Sequence, residues 1–237
     1  MALLTSIGFK PATGFPQAPY ERTHARLAPL AETSLAATWR QFGLAWNAVA
    51  YRFQACAEFD DAFRDLFARL GSNTGGLDRY QQQRDLYGCV VNACSVIESF
   101  YYATYAAGAL ANPAAFPIAT PKAQRGINPP ATATAFQRIY PGDPVTVVLS
   151  SVIAGPPWAK LKLLRNVLIH RAAPGKAVYR TAGAAVAPPS DQLKLSDFDL
   201  ADKDFDYRLT QKCRDWVVSV LGLLCEGLDD FTGQRFP

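Results

Sequence analysis

Two histidines are all that this 237-residue chain contains, and its five cysteines include no C-x-x-C pair. Together they are too few and too scattered for a typical zinc site, so neither a metal nor another cofactor is expected. The cysteines (Cys56, Cys89, Cys94, Cys213 and Cys225) are odd in number and lie in apolar, helix-like contexts, as expected of reduced thiols in a cytoplasmic protein. Residues 1–10 lack a basic segment followed by a long apolar core, so no signal peptide is expected. No apolar window is long enough for a membrane span, because Glu98, Arg214-Asp215 and Glu226 interrupt or flank the strongest ones. Sequence repeats and extended runs of strand-like alternation are also missing. Hydrophobic residues make up 49% and charged residues 19%, which suits a globular domain and excludes a disordered chain. The net charge of +4 permits nucleic-acid contact without requiring it.

Helical periodicity dominates what is present. Residues 1–33, with Pro11, Pro16, Pro19 and Pro29, read as an irregular arm, and His24 within it reads as a surface residue. A helical domain is expected over residues 34–237. Thr33-Ser34 can cap a long first helix. Leu35, Trp39, Phe42, Trp46, Val49, Phe53, Cys56, Phe63, Phe67 and Leu70 supply its apolar stripe, and Gly71 its stop. The acidic patch at residues 58–61 marks a kink or break. A second long helix runs from Gly76 to about Gly108 and carries Glu98 among Cys94, Ile97, Tyr101 and Tyr102. A half-buried carboxylate there needs a partner: a tyrosine hydroxyl such as that of Tyr102 would serve, and an arginine from another helix would serve better.

Residues 109–143 are rich in alanine and proline and read as an extended insertion, with one short helix conceivable near residues 134–140. Asp143-Pro144 is an N-cap and N1 pair that opens a short helix ending before Gly155. A further helix is expected over residues 157–172, an irregular region over 174–204 with a short strand at 177–180, and a last helix over about 205–231. The class is all-α, an antiparallel bundle of four to six helices.

The helix at residues 157–172 carries the candidate chemistry. At about 100° per residue, Leu161, Leu164, Val167 and Leu168 share an apolar arc, while Lys162, Arg165, Asn166 and His170 lie opposite. Ile169 falls in the middle of that polar arc, which suits a face covered by a second copy of the chain across a two-fold axis. These residue types fit RNA cleavage by attack of the 2′-hydroxyl on the adjacent phosphate. The reaction needs a base, an acid and positive charge on the phosphorane oxygens. A histidine supplies proton transfer and a guanidinium fits the phosphate. Asn166, one turn before His170, could orient the imidazole or bind the phosphate. With one histidine per chain at this place, separate acid and base roles call for two chains or a proton relay.

The spacing Arg165-Asn166-x-x-x-His170 resembles the R-x4-6-H motif of the HEPN superfamily. The family comprises all-α domains, many of them metal-independent ribonucleases that act as toxins, defence proteins or parts of CRISPR effectors. The likeness is carried by residues 165–170 and, beyond them, by the order of helices. It implies that Arg165 binds phosphate, Asn166 is the polar accessory and His170 the acid or base, in a cleft shared by a homodimer. Some toxin members have a tyrosine two residues after the histidine; Ala172 stands here, so that subgroup's regulation is not implied.

Under this reading Lys160, Lys162, Arg171, Lys176 and Arg180 hold the RNA backbone, and Glu98 and Tyr102 support the site from the neighbouring helix. A different class of function fits the same pattern: a non-catalytic HEPN-like module that binds a nucleotide or a protein partner, such as a cognate nucleotidyltransferase or antitoxin. In a third reading, Arg165 pairs with Glu98 within a purely structural bundle.

Overall fold

A computed structural model describes residues 10–71, 75–170, 192–194, 204–206 and 208–236. The chain is all-helical, and its elements run α1 (Gln17–Leu27), a 3₁₀ turn (Ala28–Glu32), α2 (Ala36–Leu70), α3 (Gly76–Ala111), α4 (Pro121–Arg125), α5 (Pro129–Ile139), α6 (Pro144–Ala154), α7 (Pro156–His170) and α8 (Leu209–Arg235). Two three-residue strands, Gln192–Lys194 and Asp204–Asp206, pair antiparallel with Leu193 opposite Phe205. They fall within the stretch expected to be irregular and are too short to change the class. The strand expected at residues 177–180 lies outside the described residues.

The α2–α3 hairpin is the frame. Trp39, Phe42, Trp46, Val49, Phe53, Cys56, Phe63 and Phe67 of α2 are all buried, as their spacing requires. Gly71 ends α2 at φ +64°, a left-handed conformation that favours glycine, and its N–H donates to the Phe67 carbonyl at 2.8 Å. No break occurs at the acidic patch, because Asp60 is drawn into the core. Its Oδ2 lies 3.4 Å from Arg64 on the same helix and 3.3 Å from Arg214 on α8. Helix α3 is central and buried on most sides, and small residues let its neighbours approach. A Cβ at Gly88 would lie 2.6 Å from the Phe59 ring, and one at Gly108 would lie 2.9 Å from Phe116.

The N-terminal arm is not irregular over its described length. Pro16 and Pro19 stand at the N-cap and in the first turn of α1, where a missing N–H costs nothing. Tyr20, Thr23, His24 and Leu27 then face inward on one side of that helix. His24, expected at the surface, is therefore buried, edge-on to Trp39. Tyr20 stacks on Trp46 with ring centroids 4.6 Å apart, and its hydroxyl donates to the Trp46 carbonyl. Asp229 of α8 fixes the outer side of α1 by accepting from Arg22 and Arg26.

The insertion is likewise folded into the core rather than extended. Thr120 and Asn128 cap α4 and α5, accepting from Ala123 and Ala131. Pro129 and Pro130 occupy the first positions of α5, which need no donor, so that helix begins well before residue 134. Phe116 is fully buried against Tyr105, Phe136 and Tyr140. Asp143 caps α6 as expected, accepting from the Val145 N–H at 3.1 Å, and pairs with Arg235 at 2.9 Å. Among the described residues no single helix is long and apolar enough to cross a membrane. The bent pair α6–α7 reaches that composition only jointly, across a 54° break, and buries Val145, Leu149, Trp158, Leu161, Leu164 and Val167 in the core.

Candidate functional site

Helix α7 lies across α3 through the apolar arc read from its spacing: Leu161, Leu164, Val167 and Leu168 are buried. At its start Trp158 stacks with Trp216 of α8, centroids 6.4 Å apart, and the Lys162 ammonium sits 5.9 Å from the Trp158 ring. This packing sets the rotation of α7 and so decides where the polar arc points.

Arg165 stands at the seam with α3. Its Nη2 donates to Glu98 Oε1 at 2.9 Å, with side chains 25% and 36% exposed. Its Nε is buried without a hydrogen-bond partner among the described residues. An arginine from another helix is thus the partner that Glu98 takes. Tyr102, one turn further along α3, instead donates its hydroxyl to Gln41 Oε1 on α2 at 2.9 Å. Asn166 and Lys160 are exposed and Lys162 half-buried. Ile169 is 38% exposed. His170 is the last residue of α7. Its side chain, together with Arg171, Lys176 and Arg180, lies outside the described residues. Within one turned face, then, the backbone brings Arg165, Asn166, Ile169 and the His170 position together.

Cys94 lies one turn before Glu98, its Sγ 3.8 Å from Glu98 Oε1. Burial, and then the Glu98 carboxylate, push this thiol up to about 12, while Arg165 pulls the other way. Burial also pushes Cys213 up to about 12. Both thiols stay protonated in the fold, whereas unfolded thiols ionise from about pH 9. Their contribution to stability is therefore present below pH 9 and is lost as pH rises towards 12. Urea midpoints are expected to fall over that window, and Cys94→Ser is expected to flatten part of the fall. A midpoint that does not change between pH 9 and 11 would contradict this.

A cleft of about 490 Å³ opens beside the Arg165–Glu98 pair. Leu44, Ala45, Ala48 and Arg52 of α2 form one wall; Glu98, Ser99 and Tyr102 of α3 form the floor; Ile127, Asn128 and Pro129 close it from the start of α5. Arg52 donates through Nη1 to the Ser95 carbonyl at 3.2 Å and to Ser99 Oγ. Of this lining only Glu98 and Tyr102 are marked by the sequence; the other residues are not. The only local signal was a second stripe on α2, Leu44, Ala48 and Arg52 at four-residue steps, displaced from the aromatic one.

Fold and site together define an all-helical bundle with an arginine, an asparagine and a histidine gathered on the last two turns of one helix. No family profile, curated protein or solved structure matches the chain.

Proposed function

We propose that this protein is a cytoplasmic, HEPN-like, metal-independent endoribonuclease that acts as a homodimer on single-stranded or looped RNA. The observation that carries the reading is the composition of the α7 face. Arg165 stands at the edge of the helix within reach of solvent, Asn166 is exposed beside it, and His170 follows one turn later. In the reaction, a guanidinium N–H not engaged by Glu98 holds a phosphate oxygen. His170 moves the proton of the 2′-hydroxyl or of the leaving 5′-oxygen. Attack forms the O2′–P bond as the P–O5′ bond breaks, leaving a 2′,3′-cyclic phosphate and a 5′-hydroxyl. The exposed Ile169 supports a facing copy, whose motif would supply the second proton-transfer group. Lys160, Lys162, Arg171, Lys176 and Arg180 are the backbone-holding cations in this reading.

The experiment is cleavage of a single-stranded RNA in EDTA beside its all-2′-deoxy counterpart, with sedimentation of the same protein sample. Cut RNA, intact DNA and a dimer are expected. Equal cutting of both strands, or none of either at high enzyme concentration, would overturn the reading.

A second reading has one observation in its favour, the ion pair itself. An Arg165 committed to Glu98 at 2.9 Å would make α7 a structural element of a non-catalytic module that binds a nucleotide or a protein partner, such as an antitoxin or nucleotidyltransferase.

A further inference from the structure

We propose that the cleft between α2, α3 and the start of α5 is a base pocket, which takes one nucleobase of the RNA strand held at Arg165 and prefers guanine. The proposal rests on the nuclease reading for its link to Arg165, and on the cleft's own chemistry for its ligand. At about 490 Å³ the cleft is within the roughly 300–1,000 Å³ of small-molecule sites. Apolar side chains from two elements line it: Leu44, Ala45 and Ala48 on α2, Ile127 and Pro129 at the start of α5. Such a lining suits a flat ring.

The polar groups suit a base better than a phosphate. The first two positions of α5 are the prolines Pro129 and Pro130, which have no N–H, and the Ala131 N–H is taken by Asn128 Oδ1 at 3.0 Å. This helix start therefore offers an anion no donor from those positions. The Ser99 hydroxyl donates to the Ser95 carbonyl at 2.7 Å and accepts from Arg52, so it too is engaged. The charged groups of the lining are one guanidinium, Arg52, with N–H groups beyond the Nη1 that it spends on α3, and one carboxylate, Glu98, whose Oε1 also accepts from Arg165. A donor and an acceptor in one partly apolar cleft fit an uncharged ring with both kinds of group on its edge. Guanine fits best, because N1–H and the N2 amine are adjacent donors for a carboxylate, and O6 and N7 are adjacent acceptors for a guanidinium.

Glu98 joins the two places: it lines the cleft, and its carboxylate holds Arg165. A base in the cleft would therefore sit one side chain away from the guanidinium that holds phosphate, so the pocket would select the nucleotide next to the cut.

The test is calorimetric titration of the full chain with GMP, AMP, CMP, UMP and inorganic phosphate. GMP is expected to bind most tightly and phosphate alone not to bind. Arg52→Gln is expected to weaken GMP by roughly tenfold or more, as for loss of a charge-assisted hydrogen bond. Ala48→Phe, which fills the slot, is expected to abolish binding, with circular dichroism confirming that the helices remain. Absence of GMP binding, or GMP binding unchanged in both Arg52→Gln and Ala48→Phe, overturns the pocket even if RNA is cut. GMP binding lost in those variants, in a protein that cuts no RNA, upholds the pocket and overturns the nuclease.

Discussion

Arg165→Ala is expected to lower RNA cleavage about 10²–10³-fold, the loss that follows removal of one fixed donor from a site of developing negative charge. Arg165→Lys should recover only part of it, since an ammonium keeps the charge but not the planar fork that spans two phosphate oxygens. The same residue separates catalysis from architecture. With side chains 25% and 36% exposed, the Arg165–Glu98 pair is open to solvent on part of its surface. A cycle of Arg165→Gln and Glu98→Gln in urea unfolding should therefore give a coupling of at most about 1 kcal/mol. Cleavage rate and unfolding midpoint should part company: the first collapses while the second barely moves. A coupling of about 3–5 kcal/mol, the scale of a broken buried pair, together with unchanged RNA affinity, would instead make Arg165 a structural residue.

Arg214→Ala is expected to cost about 3–5 kcal/mol of stability without any direct effect on the α7 face. Asp60 is fully buried, its Oδ1 has no hydrogen-bond partner among the described residues, and its Oδ2 shares Arg214 and Arg64. Arg64 is 39% exposed and stands 3.4 Å away, whereas Arg214 is 17% exposed and also holds Asp61 at 2.8 Å. Removing Arg214 leaves a carboxylate in the core with one cation, 3.4 Å away and half-solvated. Adding Asp60→Asn to Arg214→Ala should restore part of the loss, because the uncompensated charge goes with it. Urea unfolding followed by circular dichroism measures both variants. A loss below about 1 kcal/mol for Arg214→Ala would mean that Asp60 is solvated rather than dependent on its partner.

Features whose physics is local could be read from the chain. The aromatic stripe of α2, its stop at Gly71, the Asp143-Pro144 cap and the buried arc of α7 all depend on neighbours within a few residues, and all stand in the structure. Prolines misled where their position within a turn mattered more than their number. Pro16, Pro19, Pro129 and Pro130 open helices, so the arm expected to be irregular holds α1, and the short helix conceivable near residues 134–140 begins at Pro129. The acidic patch at residues 58–61 reads as a kink or a break because Arg214, which makes the burial of Asp60 tolerable, is 154 residues away. The same limit applied at the site. The Arg165-Asn166-x-x-x-His170 spacing lies within one helix and was visible; Glu98 was legible as a carboxylate in need of an arginine, with Arg165 among the candidates. The cleft was not legible, since its walls come from α2, α3 and α5, and no periodicity within one segment reports a space between three.

In the proposed reaction His170, at the end of α7, moves the protons at the 2′-hydroxyl and the 5′-oxygen of the RNA. The most direct measurement is the chemistry of the 3′ ends made by the intact protein and by His170→Ala from one single-stranded RNA in EDTA. Fragments ending in 2′,3′-cyclic phosphate are expected from the intact protein, with a rate about 10²–10⁴-fold lower in the variant. Cyclic-phosphate ends produced at equal rates by both proteins, or RNA left whole by the intact protein, would contradict it.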